Sequence, residues 1–192
     1  MITSILQAYK IRKVEQALLD LFSRGKIDGT VHTCVGQELT GVSLAPHLQE
    51  EDTLISNHRC HGHYLARYDD TLGLVAEIVG NNKGVCKGFG GSQHLHRPGF
   101  FSSGIRGGML PPAAGISLGY QLRSEESIVI VMIAYGTLGQ GIFYEISNLA
   151  VTQQLPLMIV VENNHISQST MQVETLAGTI EDRARAFGLE YR

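Results

Sequence analysis

The sequence predicts an α/β fold, a parallel sheet with helices on both faces. Two observations carry that expectation. First, residues 128–164 read as strand, glycine turn, helix and strand, ending in Asn163-Asn164. Strand and helix in alternation imply a right-handed parallel βαβ unit. Second, the two strand segments, SIVIVMI and LPLMIVV, are apolar at nearly every position rather than at alternate ones. Continuous apolar strands are expected where helices cover both sides of a sheet.

The other elements follow in order. Residues 3–24 place Ile5, Leu6, Tyr9, Val14, Leu18 and Phe22 at helical spacing, with Gly25 as the stop. Residues 37–49 predict a short second helix. The stretch 54–66, LISNHRCHGHYLA, starts as a strand and becomes a polar, His-rich turn. Residues 71–80 predict a third helix, ended by Gly80-Asn81-Asn82. The glycine-rich stretch 83–110 predicts a long irregular loop, and a loop of that length inside a domain is usually functional. Pro111 and Pro112 suit the start of a helix over 112–122. Strand 127–133, helix 139–152, strand 156–162 and helix 174–187 complete the expected order.

Composition narrows the function. The 192 residues are 43% hydrophobic and 17% charged, values of a globular chain, and suit one domain over 1–192. A net charge of −3, without a basic stripe or tail, argues against a nucleic-acid binder. No window is apolar enough to predict a membrane span. Cys34, Cys60 and Cys86 are odd in number and form no CxxC pair, which suggests free thiols and a cytoplasmic setting.

Chemistry concentrates at the two strand ends. The turn Ala134-Tyr135-Gly136-Thr137 leads into a helix, where unpaired N–H groups and the helix dipole favour an anion. An ordinary strand-to-helix turn has the same glycines. From Thr137 to Glu162 there are 26 residues, and then comes Asn163-Asn164. Amide oxygens can ligate Mg²⁺, although an Asn pair also closes many strands simply because Asn tolerates the left-handed conformation. Both turns fall at the carboxyl edge of one parallel sheet, where open α/β sheets bind ligands.

At this point the chain resembles a known family. HTCVGQE (32–38), SNHRCHGH (56–63), KGFGGSQHLH (87–96), SSGIRGGMLPPAAG (102–115) and GQGIFYEISNLA (139–150) occur in the order and spacing of the E1 component α subunit of 2-oxo acid dehydrogenases, the pyruvate, branched-chain and acetoin family. The likeness runs from about residue 8 to the end. It implies a thiamine-diphosphate-binding fold and an enzyme that oxidatively decarboxylates a 2-oxo acid and passes the acyl group to a lipoyl-bearing E2 carrier. It also implies a β subunit, in an α₂β₂ assembly, or else a homodimer. By position, His58 and Arg59 would face the cofactor diphosphate. Gly104, Ile105 and Arg106 would hold the aminopyrimidine ring, and Gly136 and Thr137 would contact the diphosphate. Asn164 and the backbone carbonyl of Ile166 would ligate Mg²⁺. The glutamate that polarises the pyrimidine belongs to the β subunit in this family, so no residue of this chain is assigned as catalytic acid or base. His61, His63, His94 and His96 fall near the cofactor entrance, where a structural role is the simpler expectation for each.

The sequence departs from the family in three ways. Ala134-Tyr135 stands where the family has Gly-Asp, and a phenol is neutral at pH 7 and a poor Mg²⁺ ligand. Arg106 replaces a small apolar residue. The family's last third is not present in the 192 residues. Two further functions therefore stay open: a degenerate, non-catalytic subunit with a structural or regulatory role, and an acetoin-cleaving or transketolase-like thiamine enzyme.

Overall fold

A computed structural model describes residues 2–192. The chain divides into two compact units, one of residues up to Glu50 with Ser56–Gly104, the other of Glu51–Ile55 with Ile105–Arg192.

The second unit holds the parallel sheet. Strands β1 (Thr53–Ser56), β4 (Val129–Ala134) and β5 (Leu157–Glu162) lie side by side in that order. Thr53 pairs with Val129, and Val129 in turn with Leu157, all parallel. Helix α5 (Leu110–Leu122) leads into β4, and α6 (Gly141–Thr152) crosses from β4 to β5. β4 is buried along Val129–Ile133, and Ala113 and Ala114 of α5 and Phe143, Ile146 and Ala150 of α6 join it in the core. Each large apolar side chain buried there contributes roughly 1.5–3 kcal/mol. The start of the sheet is pinned by polar groups. Ile128 N–H donates to Asp52 Oδ1 at 2.9 Å, and the hydroxyls of Thr53 and Tyr120 lie 2.7 Å apart. β5 is less enclosed than its apolar sequence predicts: Met158 is 48% exposed, because β5 is the last strand of the sheet and pairs on one edge only.

Two expectations in this unit are corrected. The helix expected over 174–187 is broken into α7 (Gln172–Thr175) and α8 (Ile180–Ala186). Gly178 between them has a positive φ of 68°, a left-handed position open to glycine, and the Thr179 hydroxyl caps α8 by accepting from Asp182 N–H at 3.0 Å. A hairpin unforeseen in the sequence, β6 (Ile166–Ser167) with β7 (Thr170–Met171), follows the Asn pair.

The first unit contains α1 (Ile2–Ser23), α2 (Glu38–Leu44), α3 (His61–Tyr68), α4 (Thr71–Ile78) and the small antiparallel hairpin β2 (His96–Arg97) with β3 (Phe100–Ser102). The His-rich segment expected to be a turn is helix α3. His61 and His63 are buried there and are consumed by structural bonds. His61 Nδ1 meets the Glu15 carboxylate at 3.1 Å and its Nε2 meets the Ser92 carbonyl at 2.9 Å, while His63 Nδ1 lies 2.7 Å from Ser56 Oγ. Glu15 also accepts from Cys34 N–H at 2.9 Å. Burial alone would raise the Glu15 carboxyl, but the bonds and charge from His61 and the bonds from Cys34 outweigh it and hold it below the usual glutamate range.

The glycine-rich loop is ordered by one carboxylate. Glu77, fully buried on α4, accepts from the backbone N–H groups of Cys86 at 2.6 Å, Gly88 at 2.9 Å and Gly90 at 2.7 Å. Three converging donors make the burial of that charge affordable in a segment with little apolar content.

Two measurements follow. Glu77→Ala leaves three donors without their acceptor and is expected to remove hydrogen-exchange protection from residues 84–90 and to lower stability by about 3 kcal/mol or more. Glu15→Gln leaves a single acceptor oxygen for the donors at His61 and Cys34 and is expected to cost about 1–3 kcal/mol in urea unfolding at neutral pH. The lowered Glu15 carboxyl stabilises the native state above the ordinary glutamate value of 4.5, and this contribution is lost as the pH falls below it. The gap between wild type and Glu15→Gln therefore narrows in acid.

Candidate functional site

The parallel register of β4 and β5 builds the candidate site. Ala134 pairs with Glu162, so the segments that follow the two strands leave the sheet at the same edge. After β4 the backbone does not form an open turn; it coils into a 3-10 helix, Tyr135–Gly139, before α6 begins. Its first N–H groups lack intrahelical acceptors by geometry. Thr137 and Leu138 are buried and Gly136 is half-buried. After β5, Asn163 and Asn164 are exposed, and each side chain folds back on its own backbone. Asn163 Oδ1 accepts from His165 N–H at 3.1 Å, and Asn164 Oδ1 accepts from Ile166 N–H at 3.2 Å.

Tyr135 decides the character of this edge. Its ring is only 1% exposed, and its hydroxyl donates to the carbonyl of Thr170 on β7 at 3.0 Å. Arg106 supplies a second tie, donating from its guanidinium to Ser167 Oγ on β6. That guanidinium lies against Gly136: a Cβ built there would sit 3.2 Å from Arg106 Nη1 and 3.4 Å from Ser167 Oγ. Gly107 approaches the same turn. With φ of +70°, its absent Cβ would fall 2.4 Å from Gln140 Oε1 and 2.9 Å from Ile142 Cγ2.

Arg106 and Gly136 are thus brought together. Thr137 stands beside Gly107, and Asn164 and Ile166 follow the neighbouring strand. Ile105 is exposed. His58, Arg59 and Gly104 belong to the other unit. There the Arg59 guanidinium donates to the Thr33 carbonyl, and His58 packs edge-on against His32 with ring centroids 5.2 Å apart. Gly104 lies under Gln93, whose Oε1 would be 2.1 Å from a Cβ at that position. Of the remaining histidines, His94 and His96 are exposed, and His96 stacks on Phe101 at 4.7 Å. Glu38 holds Arg12 in a two-pronged pair and accepts from Gly36 N–H at 3.1 Å. The Arg12 hydrogen bond keeps its carboxyl below the usual range, and its role is structural. Burial pushes the Cys60 thiol up to about 12 and raises Cys34 as well, so neither is a thiolate at neutral pH.

The family model described as dehydrogenase E1 component matches residues 7–191. The chain belongs to that family. Its E1 relatives include the α subunit of acetoin:2,6-dichlorophenolindophenol oxidoreductase from Bacillus subtilis, 35% identical over 184 residues, or 94% of this chain and 55% of the relative. The corresponding subunit from Cupriavidus necator is 37% identical over 183 residues, again 55% of its length. The mitochondrial pyruvate dehydrogenase E1 component subunit α of Kluyveromyces lactis is 34% identical over 182 residues, 44% of its length. The chain thus spans about half the length of these relatives. Among solved structures, a thiamin diphosphate-dependent enzyme from Mycobacterium smegmatis superposes with a TM-score of 0.53 at 20% identity, over 79% of this chain and 25% of that one, and shares the fold.

The donor set at this E1 turn does not fit Mg²⁺. The position expected to bring a carboxylate brings a neutral phenol whose hydroxyl donates a hydrogen bond to a carbonyl. The Asn164 amide oxygen is already engaged, and among the described residues no three His, Cys, Asp or Glu side chains cluster as a metal site. Mg²⁺ asks for an octahedron of hard oxygen ligands, normally with at least one carboxylate.

Ser167 and Thr170 contribute to the site without having stood out in the sequence, whereas Gln140 lies in the GQG segment at the helix entry. A hairpin of two-residue strands has no periodicity to detect, and His165 before it and Gln168 in its turn take positive φ of 61° and 55° where glycine would have signalled a turn. Gly107→Ala is expected to strain the backbone and crowd Gln140 and Ile142, lowering stability by about 1–3 kcal/mol in urea unfolding.

Proposed function

We propose that this chain is the α-type subunit, or part of it, of a thiamine-diphosphate-dependent E1 enzyme that oxidatively decarboxylates a 2-oxo acid and passes the acyl group to a lipoyl-bearing E2 carrier. It works with a β-type subunit in an α₂β₂ assembly, or as a homodimer, in the cytoplasm, where unpaired thiols such as Cys34 and Cys60 persist. One observation carries the reading. The glycine-containing turn at 135–139 and the pair Asn163-Asn164 leave adjacent parallel strands in register, within a chain whose residues 7–191 match the E1 family. Two curated relatives are acetoin-oxidising α subunits, so acetoin stands beside 2-oxo acids as a substrate to assay.

A second reading is favoured by Tyr135. With its ring buried and its hydroxyl on Thr170, the chain serves as a non-catalytic α-type subunit that keeps the partner interface and lacks the metal.

Co-expression with a β-type subunit tests both. A stable complex that releases CO₂ from pyruvate or a branched-chain 2-oxo acid, or oxidises acetoin, in the presence of thiamine diphosphate is the result expected of the enzyme. A stable complex without turnover selects the structural subunit. No complex with any β-type subunit removes the E1 α assignment of role.

A further inference from the structure

We infer that Tyr135 and Arg106 take the place of the metal ion as the tie between the two loops at this sheet edge, so that turn 135–139 and hairpin 166–171 are held together by protein bonds alone. The inference rests on reading this turn as the family's cofactor turn.

Three observations support it. The ties run to both strands of the hairpin: Tyr135 donates to the Thr170 carbonyl at 3.0 Å, and Arg106 donates to Ser167 Oγ. The hairpin is short and gains from them, beside its own closure at the base, where Gln172 N–H donates to the His165 carbonyl at 2.9 Å and His165 Nδ1 lies 2.8 Å from Gln172 Oε1. Each of its strands is two residues long, and His165 just before it and Gln168 in its turn hold left-handed conformations that side-chain-bearing residues keep only when their surroundings impose them. Finally, the space and charge beside Gly136 are already assigned. The Arg106 guanidinium lies over the glycine, so a divalent cation approaching there meets a positive charge and finds a phenol in place of a carboxylate. Where an ion would gather Asn164 and the Ile166 carbonyl, the hairpin that follows them is held by the Tyr135 hydroxyl on Thr170 and the Arg106 guanidinium on Ser167.

Hydrogen exchange on the full chain reads the tie directly and does not depend on turnover. The amides of residues 166–171 are expected to be protected in the wild type and, with thiamine diphosphate present throughout, unchanged by adding Mg²⁺. Tyr135→Phe keeps the ring and loses only the hydroxyl, and Ser167→Ala removes the acceptor for Arg106. Each is expected to speed exchange of the hairpin by about 2- to 10-fold, the effect of one lost hydrogen bond. Tyr135→Asp combined with Arg106→Ala returns a carboxylate, removes the opposing guanidinium, and is expected to make the protection depend on Mg²⁺ in the presence of thiamine diphosphate. The inference is overturned if, with thiamine diphosphate already present, the wild-type hairpin gains protection when Mg²⁺ is added. It is equally overturned if Tyr135→Phe and Ser167→Ala both exchange like the wild type, or if the double variant Tyr135→Asp with Arg106→Ala shows no metal response. An inactive α–β complex would count against the enzyme reading and leave these exchange results untouched.

Discussion

The parallel pairing of β4 with β5, with Ala134 opposite Glu162, is the constraint on which the site depends. A slip of one residue would turn every side chain of β5 to the opposite face and move Asn163 and Asn164 relative to the 3-10 turn. The register is secured by the burial of β4 along its length and by α6, whose Phe143, Ile146 and Ala150 pack into the core on the crossover. The site thus inherits its geometry from apolar burial that has no chemical role of its own.

What that geometry presents differs from what a metal-diphosphate site requires. The edge retains the helix start, the glycine and the asparagines, but the one anionic ligand expected of this chain is gone. A large aromatic residue is ordinarily costly at such a position. Here it is accommodated because the ring is enclosed and its hydroxyl reaches the hairpin backbone. A guanidinium over Gly136 is compatible with that hydroxyl and would not be compatible with a nearby divalent ion. Tyr135 and Arg106 therefore read as two parts of one arrangement rather than as independent departures.

Elsewhere the fold relies on buried carboxylates surrounded by donors. Glu77 draws three loop amides inward, and Glu15 joins α1 to α3 through His61 and to Cys34 through its amide. This explains why a stretch as rich in glycine as 84–91 is ordered without a continuous apolar face. It also explains why His61, conspicuous in the sequence, proves to be an internal support, as His63 does through Ser56.

The sequence by itself determined the α/β class, the positions of α1, α4, α5, α6, β4 and β5, the meeting of two ligand-type turns at one sheet edge, and the family. All of these rest on local apolar periodicity, on glycine and proline punctuation and on ordered motifs, which are properties of short stretches. The tertiary structure alone decided that the glycine turn is a 3-10 helix, that the His-rich segment is α3, that 174–187 breaks at Gly178, and that Tyr135 and Arg106 bind a hairpin some 30 and 60 residues further on. Those outcomes depend on partners distant in the chain: whether a phenol is an obstacle or a tie is set by the carbonyl it meets, and no local pattern names that carbonyl.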